Sequence, residues 1–336
     1  MVLADFPPPA TQKDFPPFRT DAAQVSPGVP HPTKIAVAIG AGFSKAFNGV
    51  NFYRLRSLIT ESIPANLKAN QLHVSIKNSV FSAEFGSFAV GENLDSLGSS
   101  QSLKDGLKAK WYAPLTLAVL AELAPQEMSL FNVDLTCSIP TPNMAAEIRR
   151  LQGLHDVTVN GKELTINIVS VRPVPEGLGS AVYLAQGQPI AVVDFGYQNT
   201  TVAAYDPQSR QMLGMESLKH GVGKLFEEIA ELANTTGERP SAEQIRLGVE
   251  AGTFELDGYS GISFKQAYDD AFEPWMKARI NDAKTQAGHV FGRCPAKFFA
   301  GGGSLLPGVA DVARKLNVGI CSGNPQEIEV KGIYRI

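Results

Sequence analysis

Cysteine, histidine and long apolar runs are all scarce in this chain, and each scarcity closes a class of explanation. Its 336 residues hold three cysteines, Cys137, Cys294 and Cys321, with no C-x-x-C spacing. That pattern excludes a disulfide framework and fits a reducing compartment. The five histidines are scattered and H-E-x-x-H is absent, so a histidine-built metal centre is not indicated. The longest apolar stretch, APLTLAVLAELAP, is broken by Glu122 and falls short of the roughly 20 residues that span a bilayer. The N-terminus lacks a basic segment followed by an apolar one, so no signal peptide is expected and a cytoplasmic protein is the default. A net charge of −3 leaves no dominant surface for nucleic acid. Two nucleotide motifs are missing as well. The P-loop pattern G-x-x-x-x-G-K-[ST] does not occur, and a Rossmann fingerprint would need glycine where Lys45 stands.

What remains is ordinary globular composition, with 44% hydrophobic and 19% charged residues, and length for two domains or one large one. Residues 1–33 carry DFPP twice, at Asp5–Pro8 and Asp14–Pro17, followed by SPGVPHP. Such proline density removes backbone donors and predicts an extended tail. Its Phe6, Phe15 and Phe18 are candidate docking groups for a partner or a neighbouring copy. From Lys34 strands alternate with helices, which predicts an α/β fold. HDVTVNGKELTINIVSVRPV reads as a hairpin turning on Asn160-Gly161. AAEIRRLQG reads as a helix stopped by glycine, and GVGKLFEEIAELANTTG as a helix ending at Gly237. Ser241 and Gln244 are spaced as a capping box. The segment from Phe264 to Ala287 predicts a long helix with a break near Pro274.

Three strand–glycine–polar turns stand out: AIGAGFSK, VVDFGYQNTT and FFAGGGSLL. Each follows an apolar strand and puts small residues where a ligand can approach the backbone. Turns of this kind expose N–H groups that hold phosphate. Similar hairpins in the two halves imply a duplicated fold with a ligand held between them.

In order and content these turns resemble the actin-like ATPase superfamily, which includes actin, the heat-shock chaperone ATPases and the sugar kinases. Within it the chain is most similar to the ParM (StbA) type of bacterial actin. AIGAGFSKAF matches the first phosphate loop, VVDFGYQNTTVAAYD the second and FFAGGGSLL the adenosine loop. FAVGEN, VPEGLGSAVYLA and NPQEIEVKGIYRI match further segments. The resemblance implies two related domains, each a mixed sheet flanked by helices, with the nucleotide in the cleft between them. Residues 34–174 would form the first domain and 175–324 the second, with 325–336 returning to the first.

By the same resemblance, Gly40, Gly42, Phe43, Ser44 and Lys45 would wrap the β- and γ-phosphates of ATP or GTP. Gly196, Gln198, Asn199 and Thr200 would clamp them from the opposite side. Asp194 would hold Mg2+ through water, and Glu176 would orient the attacking water. Gly302, Gly303 and Ser304 would face the adenosine, with Lys224 and Glu227 near the ribose or base. One part is missing: Ala38 stands where the family carries an aspartate, and Thr201 where it carries a second-turn acid. The resemblance implies a filament-forming protein in DNA or plasmid segregation or cell shape, hydrolysing slowly. Its partners would be copies of itself and an adaptor to DNA or the cell envelope. A small-molecule kinase and a non-hydrolysing pseudo-ATPase on the same fold are the alternatives.

Overall fold

The computed structural model describes residues 31–92, 94, 101–103, 107–233, 239–256 and 262–336. The Phe-Pro segment before residue 31 and Asn93 of FAVGEN lie outside the described residues. The first half runs β1 (Thr33–Ile39), β2 (Phe43–Phe47), β3 (Phe52–Arg56), β4 (Leu58–Thr60), β5 (Gln71–Lys77), α1 (Ser82–Phe85), β6 (Ser87–Gly91), β7 (Gln101–Ser102), α2 (Leu107–Leu123), β8 (Leu130–Ile139), α3 (Met144–Arg149), β9 (Gly153–Val159) and β10 (Lys162–Pro175). These strands form one mixed sheet in the order β3-β2-β1-β8-β10-β9-β5-β6-β4-β7. Then follow α4 (Leu178–Leu184), β11 (Ile190–Phe195), β12 (Asn199–Asp206), β13 (Gln211–Lys219), α5 (Val222–Leu232), α6 (Ala242–Glu250), α7 (Lys265–Thr285), α8 (Gly288–Phe291), β14 (Ala296–Ala300), α9 (Val309–Leu316), β15 (Gly319–Ile320) and α10 (Ile328–Tyr334). The second sheet has the order β13-β12-β11-β14-β15.

Both sheets are built on the same plan. A central apolar strand pairs antiparallel with the strand that follows it and parallel with a later one: β1 with β2 and β8, β11 with β12 and β14. Strands β1 and β11 are near-continuous apolar runs rather than alternating ones because both faces are covered. Over β1 the covering elements are α2 on one side and α10 on the other. Helix α2 is buried from Trp111 to Ala121 without an exposed face, the pattern of a helix enclosed by protein.

Local signals decide several details. Asn160 and Gly161 both take left-handed backbone, φ 49° and 85°, as the tight hairpin between β9 and β10 requires. Ser241 accepts from the Gln244 N–H while Gln244 returns a bond to the Ser241 N–H, which completes the capping box of α6. Helix α7 is unbroken through Pro274. Trp275, Met276, Tyr268 and Ala271 are buried on both sides of the proline, and that packing outweighs the lost hydrogen bond. Gly153 does not cap α3; it opens β9 at φ 130°. Helix α5 stops at Leu232, and Gly237 lies outside the described residues.

Candidate functional site

The first turn joins β1 to β2. The Gly40 N–H donates to the Phe43 carbonyl (2.9 Å) and the Ser57 N–H to the Gly42 carbonyl (3.0 Å). A side chain at Gly42 would sit 2.9 Å from the Tyr197 Cβ, so the first turn touches the second. The second turn joins β11 to β12 and is clamped by the start of α5. The N–H groups of Gly221, Val222 and Gly223 donate to the carbonyls of Gln198, Gly196 and Tyr197 at 2.8, 2.9 and 2.7 Å. Those otherwise unpaired helix-start donors thereby fix the turn. The third turn follows β14. Gly301, at φ 74°, leaves room for the Asp194 carboxylate, which a Cβ there would strike. The three turns line one cavity of about 440 Å³ between the sheets, within the usual size of a small-molecule site.

Of the residues predicted from the sequence, Gly40, Gly42, Phe43, Lys45, Glu176, Asp194, Gly196, Gln198, Asn199, Gly302 and Gly303 line this cavity. Five others do not. Ser44 is fully buried, its Oγ 2.9 Å from the Ser57 Oγ. Successive residues of a strand face opposite ways, so with Lys45 in the cavity Ser44 points into the core. Thr200 is turned inward next to Asn199 for the same reason, and its Oγ1 has no partner among the described residues. Ser304 donates to the Gly301 carbonyl at 2.8 Å and braces the third turn. Lys224 pairs with Glu228 at 3.9 Å on α5, and neither Lys224 nor Glu227 lines the cavity.

The charges are unevenly shared. Burial pushes the Lys45 ammonium down, opposed by Asp194 and Glu329. Burial pushes the Asp194 carboxyl up, opposed by Lys45. Glu329, on α10, is raised to about 7 by burial and by Asp194. It accepts from the backbone N–H of Gly177 (3.0 Å) and Ser180 (2.7 Å). The Ser180 hydroxyl lies within 3.0 Å of Glu329 and 3.2 Å of Asp194, one proton between two acids. Glu176 is held by Lys108, whose Nζ lies 3.1 Å from both carboxylate oxygens. Ala38 lines the same cavity.

Beside the turns lies a buried ion network. Arg56 on β3 donates from Nε (3.1 Å) and Nη2 (2.7 Å) to Glu243 on α6. Arg246 donates to Glu243 at 3.0 and 2.8 Å and to Glu250 at 2.6 Å. Burial alone would raise Glu243, but Arg246 and Arg56 hold it at about 2. Arg56 also donates to the Gly42 carbonyl and stacks 4.7 Å over Tyr197. No spacing or motif marks Lys108, Arg56 or Arg246. Glu329 lies inside the matched closing segment NPQEIEVKGIYRI, which was its one available signal.

Residues 36–179 match the family model for the N terminal domain of actin like proteins. The chain has the actin-like fold. Its resemblance to ParM-type actins extends over both halves. The ParM subunit of a 15-stranded filament from Clostridium botulinum is 17% identical, with 90% of this chain and 98% of that chain covered and a TM-score of 0.68. The archaeal actin homolog Ta0583 in complex with ADP is 18% identical over 90% and 98%, with a TM-score of 0.70. A non-polymerisable quadruple mutant of pCBH ParM is 16% identical over 91% and 98%, with a TM-score of 0.71. At these identities the likeness is one of fold. No curated protein matches the chain in sequence.

Proposed function

We propose that this chain is a nucleotide-dependent, filament-forming actin-like protein that acts in plasmid or DNA segregation or as a cell-shape scaffold. One observation carries the reading. Three glycine turns from two similarly built sheets converge, with Lys45 and Asp194, on a single cavity between them. Glycine turns of this kind and an ammonium suit the phosphates of ATP or GTP. Filaments described for ParM of Clostridium botulinum and for Alp12, both on this fold, support self-association as the second half of the reading.

Magnesium fits as a cation shared with the phosphates rather than one caged by protein. Among the described residues no group of three or more His, Cys, Asp or Glu could hold a metal ion. Mg2+ commonly takes one or two carboxylates and completes its shell with water and phosphate oxygens. Asp194, buried and lining the cavity, is the acid that would hold it, and the ion would neutralise phosphate charge. Glu176 would orient the attacking water and Gly302–Gly303 would face the nucleoside.

Ala38 favours a second reading, in which nucleotide is bound and turned over very slowly or not at all. Sedimentation and phosphate release, measured together with Mg-ATP, Mg-GTP and a non-hydrolysable analogue, test both. Pelleting with the analogue as well as with hydrolysable nucleotide, with slow release, is the expected result. Bound nucleotide with no pelleting under any condition would remove the filament reading. Among the described residues no helix is long and apolar enough to cross a membrane, and the proposed link to DNA or envelope runs through an adaptor.

A further inference from the structure

We propose that Lys108 is a positioning residue for hydrolysis, holding the Glu176 carboxylate in the orientation that aims the attacking water. The inference rests on the nucleotide reading of the cleft. In the step it serves, the water oxygen bonds the terminal phosphorus as the bridging P–O bond breaks. The diphosphate leaves with that electron pair, and the water's proton passes to the released phosphate.

Geometry singles out this pair. Lys108 Nζ is 3.1 Å from each oxygen of Glu176, so the ammonium sits across the carboxylate fork. The terminal torsion of a glutamate is broad and two-fold when left alone, and a cation on both oxygens removes that freedom. Main-chain position is already set, because the Glu176 N–H donates to the Ile139 carbonyl at 2.9 Å and Gly177 turns at φ 83°. The lysine therefore fixes what the backbone leaves loose. Its side chain is 14% exposed and that of Glu176 24%, so solvent ions screen the pair less than a surface one.

The other acids of the cavity have their own restraints. Ser180 ties Asp194 and Glu329, and Arg246 ties Glu250. Ala38 offers no carboxylate to share the work of holding a water, which leaves orientation to Glu176. Lys108 lies at the start of α2, a helix buried against the first sheet, and so it is anchored on a rigid element.

The test compares wild type with Lys108→Met, Lys108→Arg, Glu176→Gln and the Lys108→Met/Glu176→Gln double variant. Phosphate release from ATP and GTP is measured, together with affinity for the nucleoside diphosphate alone and with aluminium fluoride, which mimics the phosphoryl group in flight. Lys108→Met is expected to slow release by about tenfold to a hundredfold, the cost of losing alignment. It should lose the tightening by aluminium fluoride to a similar degree while diphosphate affinity stays within about twofold. Lys108→Arg restores both. In the Glu176→Gln background Lys108→Met adds nothing, because it acts through the missing carboxylate. Additive losses, faster release, or an equal loss of diphosphate affinity would overturn the inference. So would a wild type that binds diphosphate yet shows neither release nor tightening. A wild type that binds no nucleotide overturns the reading of the cleft, and this inference with it.

Discussion

Lys45 and Asp194 lie in the same cavity, and each is pushed by burial toward its neutral form and pulled back by the other. A polyanion with a divalent cation would satisfy both. Lys45→Met is expected to weaken nucleotide binding by about tenfold or more, the scale of one charge-assisted hydrogen bond. Asp194→Asn should leave nucleotide affinity almost independent of Mg2+. Calorimetric titration with and without the cation reads both. Glu329 makes a pH prediction. Its carboxyl is raised from 4.5 to about 7 in the folded chain, so the folded state binds more protons across that interval. Its contribution to stability is therefore full below about pH 4.5 and declines as pH rises through about 7. The melting temperature of wild type relative to Glu329→Gln should fall between pH 5 and pH 8, and a flat or rising difference would refute the assignment. At this scale the sequence was half legible. Glycines and Lys45 announced themselves, while the inward turn of Ser44 and Thr200 follows from strand alternation once the register is known. Lys108 and Glu176 are 68 residues apart in the chain and Arg56 and Glu243 are 187 apart. No local spacing reports such pairs.

Helix α6 shows how an element carries the site. Its capping box fixes the start, and from there Glu243, Arg246 and Glu250 fall on one face at i, i+3 and i+7 spacing. Ser241→Ala is expected to cost about 1 kcal/mol, read by denaturant unfolding, and to loosen the network below it. Helix α7 makes the opposite case. Pro274 is exposed in mid-helix, so Pro274→Ala restores a hydrogen bond without opening a cavity. A gain of about 1–3 kcal/mol is expected, and a loss would mean that the proline's restriction of the unfolded chain outweighs the restored bond. The capping box and the Asn160-Gly161 hairpin were legible because each is decided within a few residues. The continuity of α7 was not, because it depends on Tyr268, Ala271, Trp275 and Met276 all finding the same core.

Across the whole molecule, the alternation of strands and helices and the repeated hairpin were enough to read a duplicated α/β fold, while the two mixed sheets with a cleft between them came from the family resemblance. What the pattern could not reveal is how the two halves are fastened. Arg56 belongs to the first sheet and Glu243 to a helix of the second half, and their side chains are 1% and 7% exposed. Removing the carboxylate takes the shared partner from two buried guanidinium groups, so Glu243→Ala should destabilise the protein by about 3–5 kcal/mol. Glu243 is held at about 2, so its contribution is present above its ordinary value of 4.5 and is lost as pH falls toward 2. Because Arg56 also grips Gly42 and covers Tyr197, the fastening lies beside the first two glycine turns. One buried ion pair thus both joins the halves and packs on two of the turns, so a substitution that loosens the join also loosens the turns.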